Sequence, residues 1–334
     1  MNRVFVCHTQ YNLSLASGLS SSNDDLILFK DFCLNSELEE RLINHYHKCL
    51  FLEGAYPKKE LSVNEKLRKI RKDNIAIRRF LTKAYSQIFI VEDMCIQEMY
   101  ALKCAYRLNK NVEMSWLEDG AIAYFDNVVD SGGLGRTPFT RFIRKWFFSF
   151  FFGLYRFYDL ASCMGGHKLL SSIYVLFPDS VRKELKKKNL RTITDDEFRN
   201  GMAFMYAGSI VQFTPGSTLI AMDKLEVYGD KLDIVNHLVK GIVDSTTSEV
   251  YYKYHPRETD TLPALENCTE IDRKIALESY LTNSNTKNLT VVGIKSTVLQ
   301  TAKKMGFKAI SMINRVDQNT AVASFYQSIG VECR

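Results

Sequence analysis

Three short stretches of this sequence bring together residues that can move a proton or seat an anion. In "LEDG", residues 117–120, the carboxylates Glu118 and Asp119 stand beside Gly120. The negative charge of one, together with partial burial, raises the pKa of the other, which is what a general base requires. In "KYHPRE" His255 directly precedes Pro256, so its backbone is biased toward an extended form and its ring is aimed rather than floppy. In "VVGIKST" Gly293 leads into the Ser296–Thr297 hydroxyls at the opening of a helix pattern, where free amides and the positive end of the helix dipole favour a phosphate. Each stretch also has a plainer reading, as an acidic turn, a hydrogen-bonded histidine or an N-cap. The same choice holds for "HTQYN", His8 to Asn12, which is either a polar site or a capping turn. "VYGDKLD" supplies a rival base in Asp230 or Asp233, with capping by Asp230 as the alternative. Lys253 and Arg257 flank His255, and Arg257 can equally pair with Glu258.

The elements that must position these residues follow from the apolar pattern. Strand-like runs "RVFVCH", "DLILF", "CLFLEG", "QIFIVED" and "VEMSWLEDG" alternate with helix-period segments through the first third of the chain. Alternation resumes in "STLIAM", "EVYYKYH", "LTVVGI" and "KAISMI", again with helical segments between. This is the pattern of parallel sheets covered by helices. It predicts an α/β protein with two facing Rossmann-like domains, the GT-B type of glycosyltransferase. The expected divisions are residues 1–165, a helical linker region at 166–212, and 213–334. Residues 126–212 read as helical or irregular. The motifs above fall at the carboxyl ends of strands, where open α/β sheets bind ligands.

The conjunction of these motifs resembles the bacterial sialyltransferases, in particular the lipooligosaccharide sialyltransferases and capsular polysialyltransferases. The shared signatures read here as Glu118-Asp119-Gly120, His255-Pro256 and Ser296-Thr297, in the family's order. The resemblance implies an inverting transfer of sialic acid, or a related nonulosonic acid, from its CMP donor to a hydroxyl of a surface glycan. It implies that Asp119 or Glu118 takes the acceptor proton and that His255 hydrogen-bonds or protonates the leaving phosphate, which Ser296 and Thr297 also hold. The donor-side set then comprises Gly120, Lys253, Pro256, Gly293, Ser296 and Thr297, with Thr9, Gln10 and Asn12 from the first polar turn. No D-x-D sequence is present, so neither a metal nor a cofactor is expected. A CMP-Kdo transferase and a noncatalytic glycan-binding protein of the same fold remain as alternatives.

Length and composition agree with two folded domains: 334 residues, 46% hydrophobic, 25% charged and 12% aromatic. A net charge of +6 favours anionic partners without naming one. Eight scattered cysteines lack zinc-site spacing and read as reduced thiols of a cytoplasmic protein. The N-terminus has no signal-peptide pattern. The apolar run Trp146 to Tyr155 is too short to span a bilayer. Within residues 141–158, rings and Arg141, Arg144, Lys145 and Arg156 suit a peripheral contact with the inner face of the cytoplasmic membrane, or else a buried linker helix or an oligomer contact. The basic segment "KLRKIRKDNIAIRRF" is either a solvated helix face or a contact for an anionic acceptor. No nucleic-acid-binding motif accompanies it.

Overall fold

The computed structural model describes residues 2–55, 61–125, 146–147, 149–158, 163–206, 213–255, 258–273, 275–284, 288–317 and 320–334. The chain divides into two compact units, Met1–Gly201 and Met202–Arg334.

The first unit is built on a seven-stranded sheet in the order β3-β2-β1-β4-β5-β6-β7, and every pairing is parallel. The strands are β1 Arg3–Cys7, β2 Asp25–Lys30, β3 Lys48–Glu53, β4 Gln87–Ile90, β5 Glu113–Leu117, β6 Ser172–Val175 and β7 Asn189–Thr192. Its helices are α1 Gln10–Leu19, α2 Ser36–His45, α3 Val63–Phe80, α4 Ile96–Leu108 and α5 Asp195–Tyr206, the last running past the division between the units. The central strands are apolar on both faces because helices cover both: Val4, Phe5, Leu26, Ile27, Ile88 and Phe89 are all buried. Helix α1 begins with a capping box in which Thr9 and Asn12 satisfy each other's backbone amides. Helices α1 and α5 cross so closely that glycine is required at the contact. A Cβ on Gly18 would lie 1.9 Å from the Glu197 carbonyl oxygen, and one on Gly201 would lie 2.0 Å from that of Ser14.

The second unit repeats the plan with six parallel strands, in the order β10-β9-β8-β11-β12-β13. These are β8 Thr218–Ala221, β9 Val250–Lys253, β10 Thr269–Glu270, β11 Thr290–Gly293, β12 Lys308–Ser311 and β13 Glu332–Cys333. Helices α6 Leu232–Ser245, α7 Leu277–Thr282, α8 Val298–Lys304, α9 Ile313–Val316 and α10 Thr320–Ser328 complete it. In both sheets the chain works outward in one direction and then reverses. The reversal falls between β1 and β4 in the first unit and between β8 and β11 in the second. Ligands of open α/β sheets sit beyond the strand ends at such points.

The middle of the chain departs from the expected helical linker. Residues 172–175 and 189–192 are strands that extend the first sheet. β7 is an edge strand of sequence NLRT with three of its four residues exposed, so it lacks the apolar run that marks an interior strand. The lysine-rich segment before it looks helical by composition but forms only a 3-10 turn, Leu185–Lys187. The two-residue strands β10 and β13 were likewise too short to leave a pattern. Among the described residues no helix is long and apolar enough to cross a membrane.

Candidate functional site

At the carboxyl end of the first sheet, the two neighbouring carboxylates after β5 have different surroundings. Glu118 is fully buried. It accepts hydrogen bonds from the Tyr11 hydroxyl at 2.6 Å, from the Tyr124 hydroxyl and from the Leu176 amide at 2.8 Å. Burial first, and then the Glu118 charge, push both tyrosine pKa values well up, so both remain donors. Glu118 is therefore a tethered anion that ties α1 to β5 and to the end of β6.

Asp119 is only partly covered and, among the described residues, makes one side-chain hydrogen bond, accepting from the Asn12 carboxamide nitrogen at 3.5 Å. Burial raises its pKa, partly offset by the Asn12 contact and the positive charge of His8. Gly120, next in the chain, has φ +62°, a left-handed conformation that a side chain disfavours. It turns the chain sharply after the strand and leaves Asp119 at its tip. Of the pair, Asp119 has the properties of a base: elevated basicity and, among the described residues, a carboxylate oxygen without a hydrogen-bond partner.

Behind Asp119 lies a closed ion cluster. His8 follows β1, with Nδ1 3.1 Å from Asp31 Oδ2 and Nε2 2.7 Å from Glu98 Oε1, its ring stacked 4.5 Å from Phe29. Burial alone would lower the imidazole pKa, but Glu98 and Asp31 outweigh it and carry the value up to about 10. At neutral pH His8 is an imidazolium. Glu98 also accepts the amides of Val91 at 2.7 Å and Glu92 at 3.0 Å. Among the described residues, His8, Cys95 and Glu98 are the one group of metal-ligand types drawn together. Here the Glu98 carboxylate is already engaged with the imidazolium and two amides.

In the second unit the motif residues follow β9 and β11, the two strands that flank β8. His255 is half-buried just beyond β9, and its carbonyl accepts the Glu258 amide at 2.9 Å. Glu258 is held by backbone amides. Its carboxylate accepts the amides of Leu225 at 2.7 Å, Thr259 at 2.9 Å and Asp260 at 3.0 Å. Burial would raise its pKa, but these amides hold it low. Pro256 and Arg257 lie outside the described residues. Lys253 is buried, and its ammonium donates to the carbonyls of Tyr254 and Arg273 at 3.3 and 3.2 Å. That makes it a brace for the loops beside His255.

The Ser296–Thr297 segment is fixed by its neighbours. Asp223, which follows β8, accepts the Lys295 amide at 3.0 Å and the Tyr228 hydroxyl at 2.8 Å. The Tyr326 hydroxyl donates to the Ser296 carbonyl at 3.0 Å, and Ser311 donates to that of Ile294 at 2.6 Å. Gly293 admits a close approach, since a Cβ there would stand 3.1 Å from the Ala221 carbonyl oxygen. Helix α8, which follows, has only seven residues. The helix-dipole part of the expected phosphate seat is therefore weak.

The structure thus gathers Glu118, Asp119 and Asn12 in one unit and His255, Lys253, Gly293, Ser296 and Thr297 on one sheet edge of the other. Thr9 is engaged in helix capping, and Gln10 is the first residue of α1. The rival bases are less suited than Asp119: Asp230 and Asp233 are both exposed, and neither caps the following helix, whose N-cap is Lys231. The carboxylate that matters after β8 is Asp223, missed in the sequence although it directly follows an apolar strand, as Glu118 does. Tyr11, Tyr124 and Glu98 were also missed. They lie inside helical segments or far along the chain, and only folding brings them to the strand ends.

The alpha-2,8-polysialyltransferase (POLYST) family profile matches residues 53–313. No curated protein matches the chain by sequence. Among solved structures, an alpha/beta-galactoside alpha-2,3-sialyltransferase from the luminous marine bacterium Photobacterium phosphoreum is similar, with TM-score 0.55 and 14% identity over 99% of this chain and 98% of that one. The GT-B domain of a sialyltransferase from Photobacterium damselae gives TM-score 0.50 and 13% identity over 99% and 97%. A UDP-GlcNAc 2-epimerase from Methanocaldococcus jannaschii gives 0.52 and 11% over 93% and 84%. At such identities these likenesses establish the fold, and a fold shared with an epimerase does not by itself select a reaction.

Proposed function

The chain belongs to the alpha-2,8-polysialyltransferase family and is a glycosyltransferase that moves a sialyl group from a nucleotide sugar to a glycan; from that premise we propose that its donor is CMP-sialic acid and that it works by inversion without a metal. In this reading Asp119 takes the proton of the acceptor hydroxyl as the new bond to the anomeric carbon forms. The bond from that carbon to the phosphate oxygen breaks, and the electron pair leaves with CMP. His255 donates a hydrogen bond to the departing phosphate, whose charge also rests on the hydroxyls of Ser296 and Thr297. The family description directs the choice of acceptor toward a hydroxyl of another sialic acid.

The observation that carries the proposal is the division of labour after β5. Glu118 is saturated by two tyrosines and an amide, whereas the adjacent Asp119 keeps a raised pKa on a glycine turn. Asp119→Asn should reduce transfer by about 10²–10⁴-fold while leaving CMP binding near the wild-type level. His255→Ala should weaken both. Assaying hydrolysis and transfer with CMP-sialic acid and CMP-Kdo tests the donor, and turnover of CMP-Kdo alone would overturn the sialic acid assignment.

The acceptor is proposed to be a glycan at the cytoplasmic face of the membrane. Trp146, Phe150 and Tyr155 are 60%, 73% and 80% exposed, which removes the buried-linker reading for these rings and suits an interfacial contact. Residues 141–145 and 148 lie outside the described residues. Co-sedimentation with anionic vesicles that fails for a Trp146→Ser/Phe150→Ser double variant would support the contact. Self-association lost in that variant, with no vesicle binding by the wild type, would assign the rings to an oligomer instead.

A further inference from the structure

The proposed chemistry leaves a phosphate facing hydroxyls and one imidazole. Beside those hydroxyls in the chain stands a cationic residue that no motif includes. Lys295 is the residue before Ser296, at the reversal point between β8 and β11. Its backbone is immobilised on both sides, by the Asp223 carboxylate on its own amide and by Tyr326 on the next carbonyl. Its ammonium lies 2.6 Å from Asp317 Oδ2. A second ammonium, Lys231 from the turn after β8, lies 3.7 Å from the other oxygen of the same carboxylate.

Two lysines therefore share the Asp317 carboxylate, while the nearby Asp223 carboxylate is turned to the Lys295 amide and the Tyr228 hydroxyl. The two lysine side chains are 31% and 42% exposed, so water, or an anion replacing it, reaches both. The Lys295 contact holds the Asp317 pKa below the usual carboxylate range, and Asp317 remains an anion through neutral pH.

We propose that Lys295, seconded by Lys231, is a binding residue for the phosphate of the nucleotide donor, with Asp317 holding the ammonium in place until the phosphate arrives. The inference rests on the CMP-donor reading above. An ammonium is a compact charge on a flexible stem, so Lys295 can turn from a carboxylate oxygen to a phosphate oxygen without backbone movement. The two anions offer it similar hydrogen bonds, and the exchange costs little. The fixed amide of Lys295 keeps the stem in register with the two hydroxyls that follow it.

The decisive comparison is CMP against cytidine, because only CMP carries the charge in question. Calorimetric titration of the full chain should show Lys295→Met weakening CMP by about tenfold or more with cytidine affinity unchanged, and Lys295→Arg restoring most of the loss. Lys231→Gln should have the same sign and a smaller size. Asp317→Asn, which removes the competing anion, should bind CMP at least as tightly as the wild type. If Lys295→Met binds CMP within twofold of the wild type while His255→Ala loses it, the donor reading stands and this assignment fails. The assignment also fails if Lys295→Met weakens CMP and cytidine equally, or if Asp317→Asn weakens CMP as much as Lys295→Met, since the trio would then be a structural brace. Absence of CMP binding by the wild type would remove the donor reading itself.

Discussion

Between β1 and β4 the first sheet is bridged by a cation, His8, held on Glu98 and Asp31. Between β8 and β11 the second sheet is bridged by an anion, Asp223, held on the Lys295 amide and the Tyr228 hydroxyl. Strand order and strand direction at the two reversal points are alike, so topology does not account for the difference in polarity. The sequence of the loops does. The first crevice gathers acids around a trapped imidazolium and presents one more acid, Asp119, beyond them. The second holds its trapped carboxylate on an amide and a hydroxyl and sets two lysines on a further carboxylate, Asp317. In the proposed mechanism, one scaffold used twice supplies the proton-accepting end and the anion-binding end of sialyl transfer.

The sharpest way to break this comparison is to remove the charge from each bridge in turn. Glu98→Gln preserves shape but removes the nearer of the two carboxylates bonded to the buried imidazolium, and should destabilise the first unit by about 3–5 kcal/mol, read as lost hydrogen-exchange protection of the β1 and β4 amides. A loss below about 1 kcal/mol would show that the cluster is not an ion pair.

The same cluster predicts a pH dependence. The folded pKa of His8, about 10, lies above its ordinary 6.5. Its contribution to stability is therefore complete below pH 6.5 and is lost as pH rises through about 10. Protection of β1 should decline across that window in the wild type and not in His8→Gln. Equal decline in both would assign the effect to other groups.

A smaller effect is expected at Gly120, where φ is +62°. Gly120→Ala should cost about 1–2 kcal/mol and should lower the rate of transfer more than it weakens CMP, because the turn carries Asp119. The smallest belongs to the second bridge. Burial already raises the Asp223 pKa, so ionisation there is a burden, and Asp223→Asn retains an oxygen for the Lys295 amide. Its cost should stay within about 1 kcal/mol in denaturant melts, and a cost as large as that of Glu98→Gln would erase the contrast between the two ends.

The strand-end positions of the candidate residues were legible from residue types in the sequence. Asp119, His255, Ser296 and Thr297 each follow an apolar run closely, and parallel strands put such residues at one edge of their sheet. What was not legible is the difference between Glu118 and Asp119, since neighbours in sequence look equivalent until Tyr11, Tyr124 and Leu176 close on one of them. Lys295 was passed over because a lysine at a turn is ordinary in sequence, and only the nearness of Asp317 and Lys231 sets it apart. Strand β7 was missed because an edge strand needs little apolar length when its neighbour supplies the pairing, whereas β6 lies in a plain apolar run, residues 173–177, within a segment read as irregular.

By itself the sequence determined the alternation of strands and helices, because apolar period and capping residues are local properties that survive any tertiary arrangement. It also determined which chemical groups could reach the ends of the strands. Tertiary structure alone decided which carboxylate is saturated and which is available, and that His8 is charged. Hydrogen-bond partners and burial set those properties, and the partners come from segments as far apart in the chain as His8 and Glu98 or Tyr11 and Glu118.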